Sequence, residues 1–385
     1  MTTSADTTGS TAPTTAPSLE EFRHFYREVF EPRAEEIERT DAIPKDLLEQ
    51  VAELGVYRLT VPTEHGGHGL PLTDYLPYLE VAAHGPAAGR LLMHHTNGLW
   101  RPIAWFGNEE QRTLIPQIAS GEVVPAFALT EKTGGTGRDL HSVARRDGDS
   151  WLVSGEKHLI TFADRADWFI LVVATDESRG KDSLTAFLIP RNTPGFEIDL
   201  SQTMMGCHGT GHAFLRYQDM RVPDALRLGA EGEGLAVALS FLDYSRVSLS
   251  NSMVGLAQRA LDEAVSFARR RVTFGRPIAE RQAMQISIAD MYADINAGRE
   301  LVRRAAERFQ RGEDFTTEAA TAKLFCLNMI GRVTDLALRM HGGYGYTVEA
   351  PIERIYRDAR SFWFEEGTQE IQQLVIARSV LAGTA

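Results

Sequence analysis

The sequence predicts an α+β protein that is mainly helical, with a middle antiparallel β domain between two helical domains. Apolar residues recur at spacings of three and four across residues 18–123 and 223–385, as they do on one face of a helix. Between them, residues 124–222 contain short β-branched and aromatic runs bounded by turn residues. No G-x-G-x-x-G motif follows a strand-like run, which disfavours a Rossmann nucleotide site.

The N-terminal domain, residues 18–123, opens with Leu19, Phe22 and Tyr26 at helical spacing, and Pro44-Lys45-Asp46 begins a further helix. In the middle domain, residues 124–222, Asp147-Gly148 separates two strand-like runs and predicts a hairpin. We expect a second turn at residues 192–195, which read Asn-Thr-Pro-Gly.

The C-terminal domain, residues 223–385, carries the longest helical pattern. Ile288, Met291, Ile295 and Val302 recur at spacings of three, four and seven. Helices of about 25 residues with such apolar stripes predict a four-helix-bundle-like domain.

The composition is that of a globular protein, with 43% hydrophobic and 24% charged residues in a chain of 385. A formal charge of -12 argues against nucleic acid as the main partner, because phosphate binding needs a cationic surface. No apolar run is long enough to span a bilayer. Residues 1–17 lack the cationic start and the apolar stretch of a secretory signal. We therefore expect a disordered tail over 1–17 and a cytoplasmic protein without a membrane partner.

Six short stretches of the sequence, taken in order along the chain, resemble the motifs of a known protein family. They are Phe127–Thr136 (FALTEKTGGT), Gly155–Thr161 (GEKHLIT), Met205–Thr210 (MGCHGT), Arg271–Gly275 (RVTFG) with Gln282, His341–Tyr346 (HGGYGY) and Glu366–Gln372 (EGTQEIQ). Any one of them alone is a weak signal. In this order and at these spacings, the sequence resembles the acyl-CoA dehydrogenase family over essentially its whole length after the tail.

The resemblance implies FAD as the cofactor. A hydroxyl and exposed backbone amides on a loop that leaves a strand can hydrogen-bond the flavin edge and the pyrophosphate. Taken alone, the same residues also fit an ordinary Gly/Thr turn. The matching positions imply that Thr161 lies near flavin N5 and that Leu159 packs on the flavin where the family usually has Trp. The residues so implied are Phe127, Leu129, Thr130, Gly135, Thr136, Leu159 and Thr161.

The resemblance implies that a second set of residues holds the FAD of a neighbouring subunit. A guanidinium can pair with a diphosphate, and a Phe ring can stack on adenine. Without the resemblance, Arg271 also fits the solvated cationic end of a helix. The likeness therefore implies a homotetramer, or at least a dimer. The cofactor residues implied here are Arg271, Phe274, Gln282, Arg339, Gly342 and Gly343. Thr368, after the base position, is a further implied cofactor residue.

Glu366 is the candidate catalytic base. Removing a proton α to a thioester carbonyl requires a carboxylate in a dry pocket. The resemblance places the family's most frequent base at Glu366, immediately before Gly-Thr. Some members carry the base at the position of Ser245, which cannot serve here. Glu365 is the nearest competitor, and in an extended segment the two side chains would point to opposite sides.

Asp243 and Arg246 match an acidic-x-x-Arg pair that, by resemblance, binds the adenine and pantetheine part of the ligand. The pair also fits a simple i,i+3 ion pair worth about 0.2–0.5 kcal/mol, so both interpretations stand. His94, His95 and His341 are expected to be structural, and no metal is expected, because no carboxylate or Cys lies at ligand spacing.

The predicted function is FAD-dependent dehydrogenation of a short- or medium-chain acyl thioester, bound to CoA or to an acyl-carrier protein, to the enoyl thioester. The resemblance implies that Glu366 takes the α-proton, that flavin N5 takes the hydride, and that an electron-transferring flavoprotein receives the electrons. The alternatives are a desaturase acting away from the α,β position, a flavin monooxygenase or oxidase, and a catalytically silent flavin-binding scaffold protein.

Overall fold

The computed structural model describes residues 15–132, 134, 140–176 and 182–383. Along the chain, a group of helices is followed by a β-sheet and then by long helices. The predicted boundary at 123/124 falls between a helix that ends at Ser120 and a strand that begins at Pro125. The boundary at 222/223 falls at the end of a strand, Pro223. Residues 1–14 of the predicted tail lie outside the described residues.

The N-terminal block is built from short helices. The first of them begins with a capping box. The Ser18 hydroxyl accepts from the amide of Glu21, and the Glu21 carboxylate accepts from the Ser18 amide. Phe22, Tyr26 and Phe30 form a run of buried ring contacts behind it. The helices are α1 (Leu19–Phe25), α2 (Ala34–Thr40), α3 (Lys45–Glu53), α4 (Leu72–Ala82), α5 (Ala87–Thr96), α6 (Trp100–Phe106), α7 (Glu109–Arg112) and α8 (Leu114–Ser120).

The middle block is one eight-stranded sheet within the described residues, with the path β6-β7-β3-β2-β4-β5-β8 and β1 paired with β4. The predicted hairpin is present, with Asp147 opposite Ser150. Pairing is mainly antiparallel as predicted, but β1 runs parallel to β4, which the sequence pattern did not indicate. The strands are β1 (Pro125–Ala128), β2 (Val143–Asp147), β3 (Ser150–Ile160), β4 (Trp168–Ala174), β5 (Leu184–Pro190), β6 (Phe196–Asp199), β7 (Ala213–Pro223) and β8 (Arg227–Leu228).

The C-terminal block is dominated by three long helices that pack against one another. The first of these helices has 37 residues, longer than the expected 25 or so, and contains no Pro. The elements are α9 (Gly234–Arg270), the hairpin β9 (Val272–Thr273) and β10 (Arg276–Pro277), α10 (Gln282–Gln310), α11 (Thr316–Met340), α12 (Pro351–Arg360) and α13 (Gln369–Ala382). Among the described helices, none combines the length and the apolar character needed to cross a bilayer.

Helix α9 joins all three blocks. Its first part, with Val237 and Phe241, packs in one core with α6, α8 and the face of β4 and β5. Its later part, with Val254 and Leu261, packs in another core with α4, α10 and α11. At Gly255 a Cβ atom would lie 2.4 Å from the Glu80 carbonyl oxygen, so only glycine allows α4 this close. The middle of α9 is therefore where residues from all three blocks meet.

Candidate active site

Glu366 lies on the loop before α13, in a backbone conformation with φ 53°. Its side chain is 15% exposed, and Oε1 lies 3.5 Å from Nε2 of His94 on α5. The same His94 nitrogen lies 2.8 Å from the hydroxyl of Ser245, in the buried part of α9. The predicted base thus contacts an imidazole from α5, and that imidazole in turn contacts a serine of α9.

Two side chains, one from α11 and one from α9, hold the carbonyl groups of this loop. Lys323, fully buried on α11, donates from Nζ to the carbonyl oxygens of Glu365 and Gly367. Arg246 donates from Nε to the Glu366 carbonyl oxygen at 3.4 Å. Because a left-handed non-glycine residue costs of order 1 kcal/mol, such fixed contacts are what keeps Glu366 in place. Burial lowers the pKa of Lys323 to about 8, although Glu366 opposes the shift.

Glu365 has a different partner. Its carboxylate accepts from Arg90 at 2.9 and 3.1 Å, and Arg90 also donates to the Ser361 hydroxyl at 3.0 Å. Burial opposes ionisation, but the Arg90 charge outweighs it and lowers the pKa of Glu365 to about 2. The expectation of an extended segment here is wrong, since Glu366 is left-handed. The two carboxylates are separated because Arg90 holds one of them.

Asp243 and Arg246 do form the i,i+3 ion pair considered above. The pair is not solvated, because the two side chains are 23% and 7% exposed. Burial raises the pKa of Asp243 even though the Arg246 charge acts against it. Since Arg246 also bonds the Glu366 carbonyl, the predicted ligand-binding pair is connected to the predicted base.

The first residues predicted to contact the flavin lie on β1 and directly after it. The Phe127 ring lies 5.8 Å from that of Phe241 on α9, which brings the strand against the helix. The Leu129 carbonyl accepts from Lys157 at 2.9 Å, and Lys157 pairs with the buried Glu131 at 2.8 Å. Thr130 follows Leu129 after the end of β1, and its carbonyl oxygen accepts a hydrogen bond from the amide of His158. The predicted contacts Gly135 and Thr136 lie outside the described residues.

Leu159 and Thr161 lie at the end of β3. Pairing with β7 is irregular between Lys157 and Ile160, and Leu159 there has φ 60°. The Thr161 hydroxyl lies 3.2 Å from Nε2 of His212, whose Nδ1 lies 2.9 Å from a threonine hydroxyl. Burial lowers the pKa of His212, so its ring is neutral at neutral pH.

The second predicted set lies at the far end of α9. Arg271 follows the helix and lines a surface cavity of about 550 Å³ together with Gly342 and Gly343. Phe241 on α9, which the predicted flavin residue Phe127 contacts, is 30 residues from Arg271, about 45 Å at the helical rise. The structure therefore separates the predicted cofactor residues into two regions of one chain.

Phe274 stands at the tip of the β9–β10 hairpin beside this cavity. Phe274 and Gly275 have φ 49° and 80°, as the two central residues of a tight hairpin turn require. The turn leaves the phenyl ring 96% exposed, with the Arg281 guanidinium 5.5 Å from its centre.

Three other predicted cofactor residues do not line the cavity. Gln282 is exposed at the first turn of α10. Arg339 is 71% exposed and pairs with Asp335 at 3.4 Å. Thr368 precedes α13, two residues after Glu366, and belongs to the base loop.

The structure also reveals residues that sequence reasoning did not select. Arg90, Lys323 and Ser245 were not considered for these contacts, and His94 was interpreted as structural. The sequence does contain a signal that could single them out, because each is a polar residue on an otherwise apolar face of a helix. Their partners, however, are as much as 275 residues away in the chain.

Comparisons with known proteins identify the family of this chain. Residues 17–122, 126–220 and 232–381 match the N-terminal, middle and C-terminal domains of acyl-CoA dehydrogenase. An acyl-CoA dehydrogenase of Bacillus subtilis (strain 168) is 36% identical over 365 residues, which cover 94% of this chain and 96% of that protein. The chain belongs to the acyl-CoA dehydrogenase family. The predicted family and fold class are confirmed.

Two solved structures show how close the fold is. Butyryl-CoA dehydrogenase from Megasphaera elsdenii has a TM-score of 0.89 and 32% identity, covering 94% of this chain and 97% of that one. The prolyl acyl carrier protein oxidase AnaB has a TM-score of 0.87 and 27% identity, with the same coverage. As an acyl-CoA dehydrogenase family member, the chain is an oxidoreductase of the class that acts on CH–CH bonds.

Proposed function

We propose that this chain oxidises a short- or medium-chain acyl thioester, carried by CoA or by an acyl-carrier protein, to the 2,3-enoyl thioester with Glu366 as the base. The observation that carries the proposal is the contrast between two adjacent carboxylates. Glu365 is neutralised by Arg90, whereas Glu366 is mostly buried and lies 3.5 Å from His94. The adjacent Ser245 offers no carboxylate at the family's other base position.

In the proposed mechanism, Glu366 accepts the proton from C2 of the acyl group. Lys323 and Arg246 fix the loop carbonyls on both sides of it, so the carboxylate is held at one position without rearrangement. Such pre-organisation reduces the cost of reaching the transition state. The low exposure of Glu366 keeps water from competing for the C2 proton.

The residues present fit FAD in two places. At Gly342, which has φ 59°, and at Gly343, a Cβ atom would meet nothing within 4 Å, so the surface in front of this backbone is open to a ligand. Arg271 beside it supplies a cation for a diphosphate. We propose that Arg271, Phe274, Gln282, Arg339, Gly342 and Gly343 serve the FAD of a neighbouring copy.

The same chain's Phe127, Leu129, Thr130, Leu159, Thr161 and Thr368 are proposed to bind its own flavin, together with Gly135 and Thr136. When bound, FAD supplies a hydride acceptor for C3 of the acyl group. This division of the cofactor site between copies is the basis for proposing a homotetramer, or at least a dimer. An electron-transferring flavoprotein is the proposed electron acceptor.

The test is anaerobic addition of an acyl-CoA and acyl-pantetheine panel to the yellow protein, with mass analysis of each product. We expect loss of flavin colour and a product two mass units lighter with a 2,3 double bond. A panel that leaves the flavin oxidised, or a double bond at another position, would contradict the proposal.

A second candidate is an oxidase that acts on a carrier-protein thioester, favoured by the similarity to the prolyl acyl carrier protein oxidase. Mixing the substrate-reduced protein with oxygen separates the two functions. Fast re-oxidation with hydrogen peroxide release would favour the oxidase, and slow re-oxidation would favour the dehydrogenase.

A further inference from the structure

The carboxylate of Glu366 is contacted from α5 and not from its own loop. Oε1 lies 3.5 Å from Nε2 of His94, which is within ion-pair distance. Among the described residues, His94 is the one that makes a hydrogen-bond or ion-pair contact with this carboxylate, since Arg246 and Gln372 bond the Glu366 carbonyl oxygen instead. Contacts to a catalytic base are often this long without substrate and shorten in the complex. The imidazole therefore holds one carboxylate oxygen and leaves Oε2 to accept a proton.

The His94 ring is itself held by two residues of α9. The Ser245 hydroxyl lies 2.8 Å from the same Nε2, and within the described part of the chain this hydroxyl has no other hydrogen-bond partner. The Phe241 ring lies 5.5 Å from the imidazole, tilted by 56°. Because Phe241 and Ser245 are four residues apart on one helix, their side chains are neighbours and contact the same ring. Together they restrict where the imidazole can lie beside Glu366.

The surroundings of the ring indicate which nitrogen carries the proton. Nδ1 of His94 is buried and has no hydrogen-bond partner among the described residues. Nε2 faces an ionised carboxylate, which only accepts, and the Ser245 hydroxyl, which accepts as well as donates. An unpaired buried N–H at Nδ1 and a lone pair directed at a carboxylate would both be costly. We therefore assign the Nε2–H tautomer, in which His94 donates and Glu366 accepts.

This arrangement differs from a Ser-His-acid catalytic triad. In a triad, the serine and the acid contact opposite nitrogens of the imidazole, so that the histidine can take the proton of the serine. Here Ser245 and Glu366 contact the same nitrogen of His94, and the described residues provide no acid at Nδ1. The geometry therefore favours a fixed donor to Glu366 over an activated serine.

We propose that His94 is a positioning residue for the reaction and that Ser245 acts through it. The Nε2–H group orients the Glu366 carboxylate so that Oε2 is the oxygen that takes the C2 proton, and Ser245 fixes the ring that donates. Such support from surrounding side chains raises the rate because the base does not have to reach its reactive position during each turnover. The inference rests on the proposed function, because it requires Glu366 to be the base.

The experiment measures flavin reduction by butyryl-CoA and octanoyl-CoA, per bound flavin and under anaerobic conditions. His94→Leu removes a hydrogen bond to a charged group, so we expect the rate constant of reduction to fall by about tenfold or more. The Kd of the thioester should change by less than about threefold, because the contact serves the base and not substrate binding. His94→Gln retains an N–H donor near the position of Nε2 and should stay within about threefold of wild type.

Ser245→Ala tests whether this serine acts through the ring. The single variant should lower the rate constant by about threefold, as for loss of one neutral hydrogen bond. In the His94→Leu background it should have no further effect, because the ring through which it acts is absent. Ser252→Ala is the matched control and should leave the rate unchanged, since this serine is buried on the same helix and its hydroxyl donates to the Ser248 carbonyl.

The outcomes separate the inference from the proposed function. A His94→Leu variant as fast as wild type, beside an inactive Glu366→Gln, overturns the inference alone. Equal losses in His94→Leu and His94→Gln, or a further loss from Ser245→Ala in the His94→Leu background, also overturn it. An active Glu366→Gln, or a wild-type flavin that neither these thioesters nor the wider panel reduces, overturns the proposed function and the inference with it. If His94→Leu does not fold, Ser245→Ala beside Ser252→Ala still decides, because equal rates in these two variants contradict the inference.

Discussion

Arg90 donates two hydrogen bonds, at 2.9 and 3.1 Å, to the carboxylate of Glu365, the residue directly before the proposed base. The guanidinium is 1% exposed and also lies 4.1 Å from the centre of the Phe362 ring. This pair assigns different roles to two adjacent glutamates. Glu365 neutralises the buried guanidinium of Arg90, and Glu366 is left as the proposed base.

Arg90→Met should therefore destabilise the protein strongly, because it leaves Glu365 with a buried and uncompensated charge. We expect a loss of about 3–5 kcal/mol, measured by chemical denaturation. The double variant Arg90→Met with Glu365→Leu removes both charges and should recover most of that stability. A double variant as unstable as the single one would show that the charge pair is not the cause.

Lys323→Met should lower kcat for thioester oxidation by about tenfold or more while FAD content and KM change little. The substitution keeps the side-chain length but removes the donor to the carbonyls of Glu365 and Gly367. The loop that carries Glu366 then loses a fixed geometry that catalysis needs. Rapid-reaction measurement of flavin reduction gives the rate, and unchanged kcat would contradict the positioning role.

The same variant tests a pH dependence. Burial lowers the pKa of Lys323 from 10.5 to about 8 in the folded state. Between these values the unfolded chain binds more protons, so this lysine makes stability rise with pH in that window. The difference in melting temperature, wild type minus Lys323→Met, should therefore increase between about pH 8 and 10. A constant or shrinking difference would contradict the assignment.

Arg271→Glu should weaken FAD retention more than it changes the fold. The substitution inverts a charge in the cavity that Gly342 and Gly343 also line, where a diphosphate is proposed to bind. The matched control is Arg332→Glu, which reverses an exposed charge on α11 outside that lining. Bound flavin per subunit after gel filtration is the readout. Equal flavin loss in both variants would argue against a specific diphosphate contact.

Sequence patterns predicted the order of the three blocks because apolar periodicity changes where helices give way to strands. They also predicted the hairpin after Asp147, since local turn chemistry determines it. They did not predict that α9 runs unbroken through 37 residues and contacts every block, because its length depends on packing partners. The likeness to a family supplied most of the candidate site residues.

The contacts within the site were out of reach of such reasoning. Ser245 and His94 are 151 residues apart, and no local pattern relates them. The separation of Glu365 from Glu366 was expected from an extended backbone, whereas a left-handed residue and a distant arginine produce it. Side chains that pair through the fold appear in sequence only as polar residues on apolar helical faces.

The most direct test of the central claim compares flavin reduction by an acyl thioester in Glu366→Gln and Glu365→Gln, per bound flavin and under anaerobic conditions. Glu366→Gln keeps the size of the side chain but removes its proton affinity. We predict a fall of at least about 10²–10⁴ in the rate, with thioester binding retained within about tenfold. Glu365→Gln should remain within about tenfold of wild type. An inactive Glu365→Gln beside an active Glu366→Gln, or near-full activity in both, would contradict Glu366 as the base.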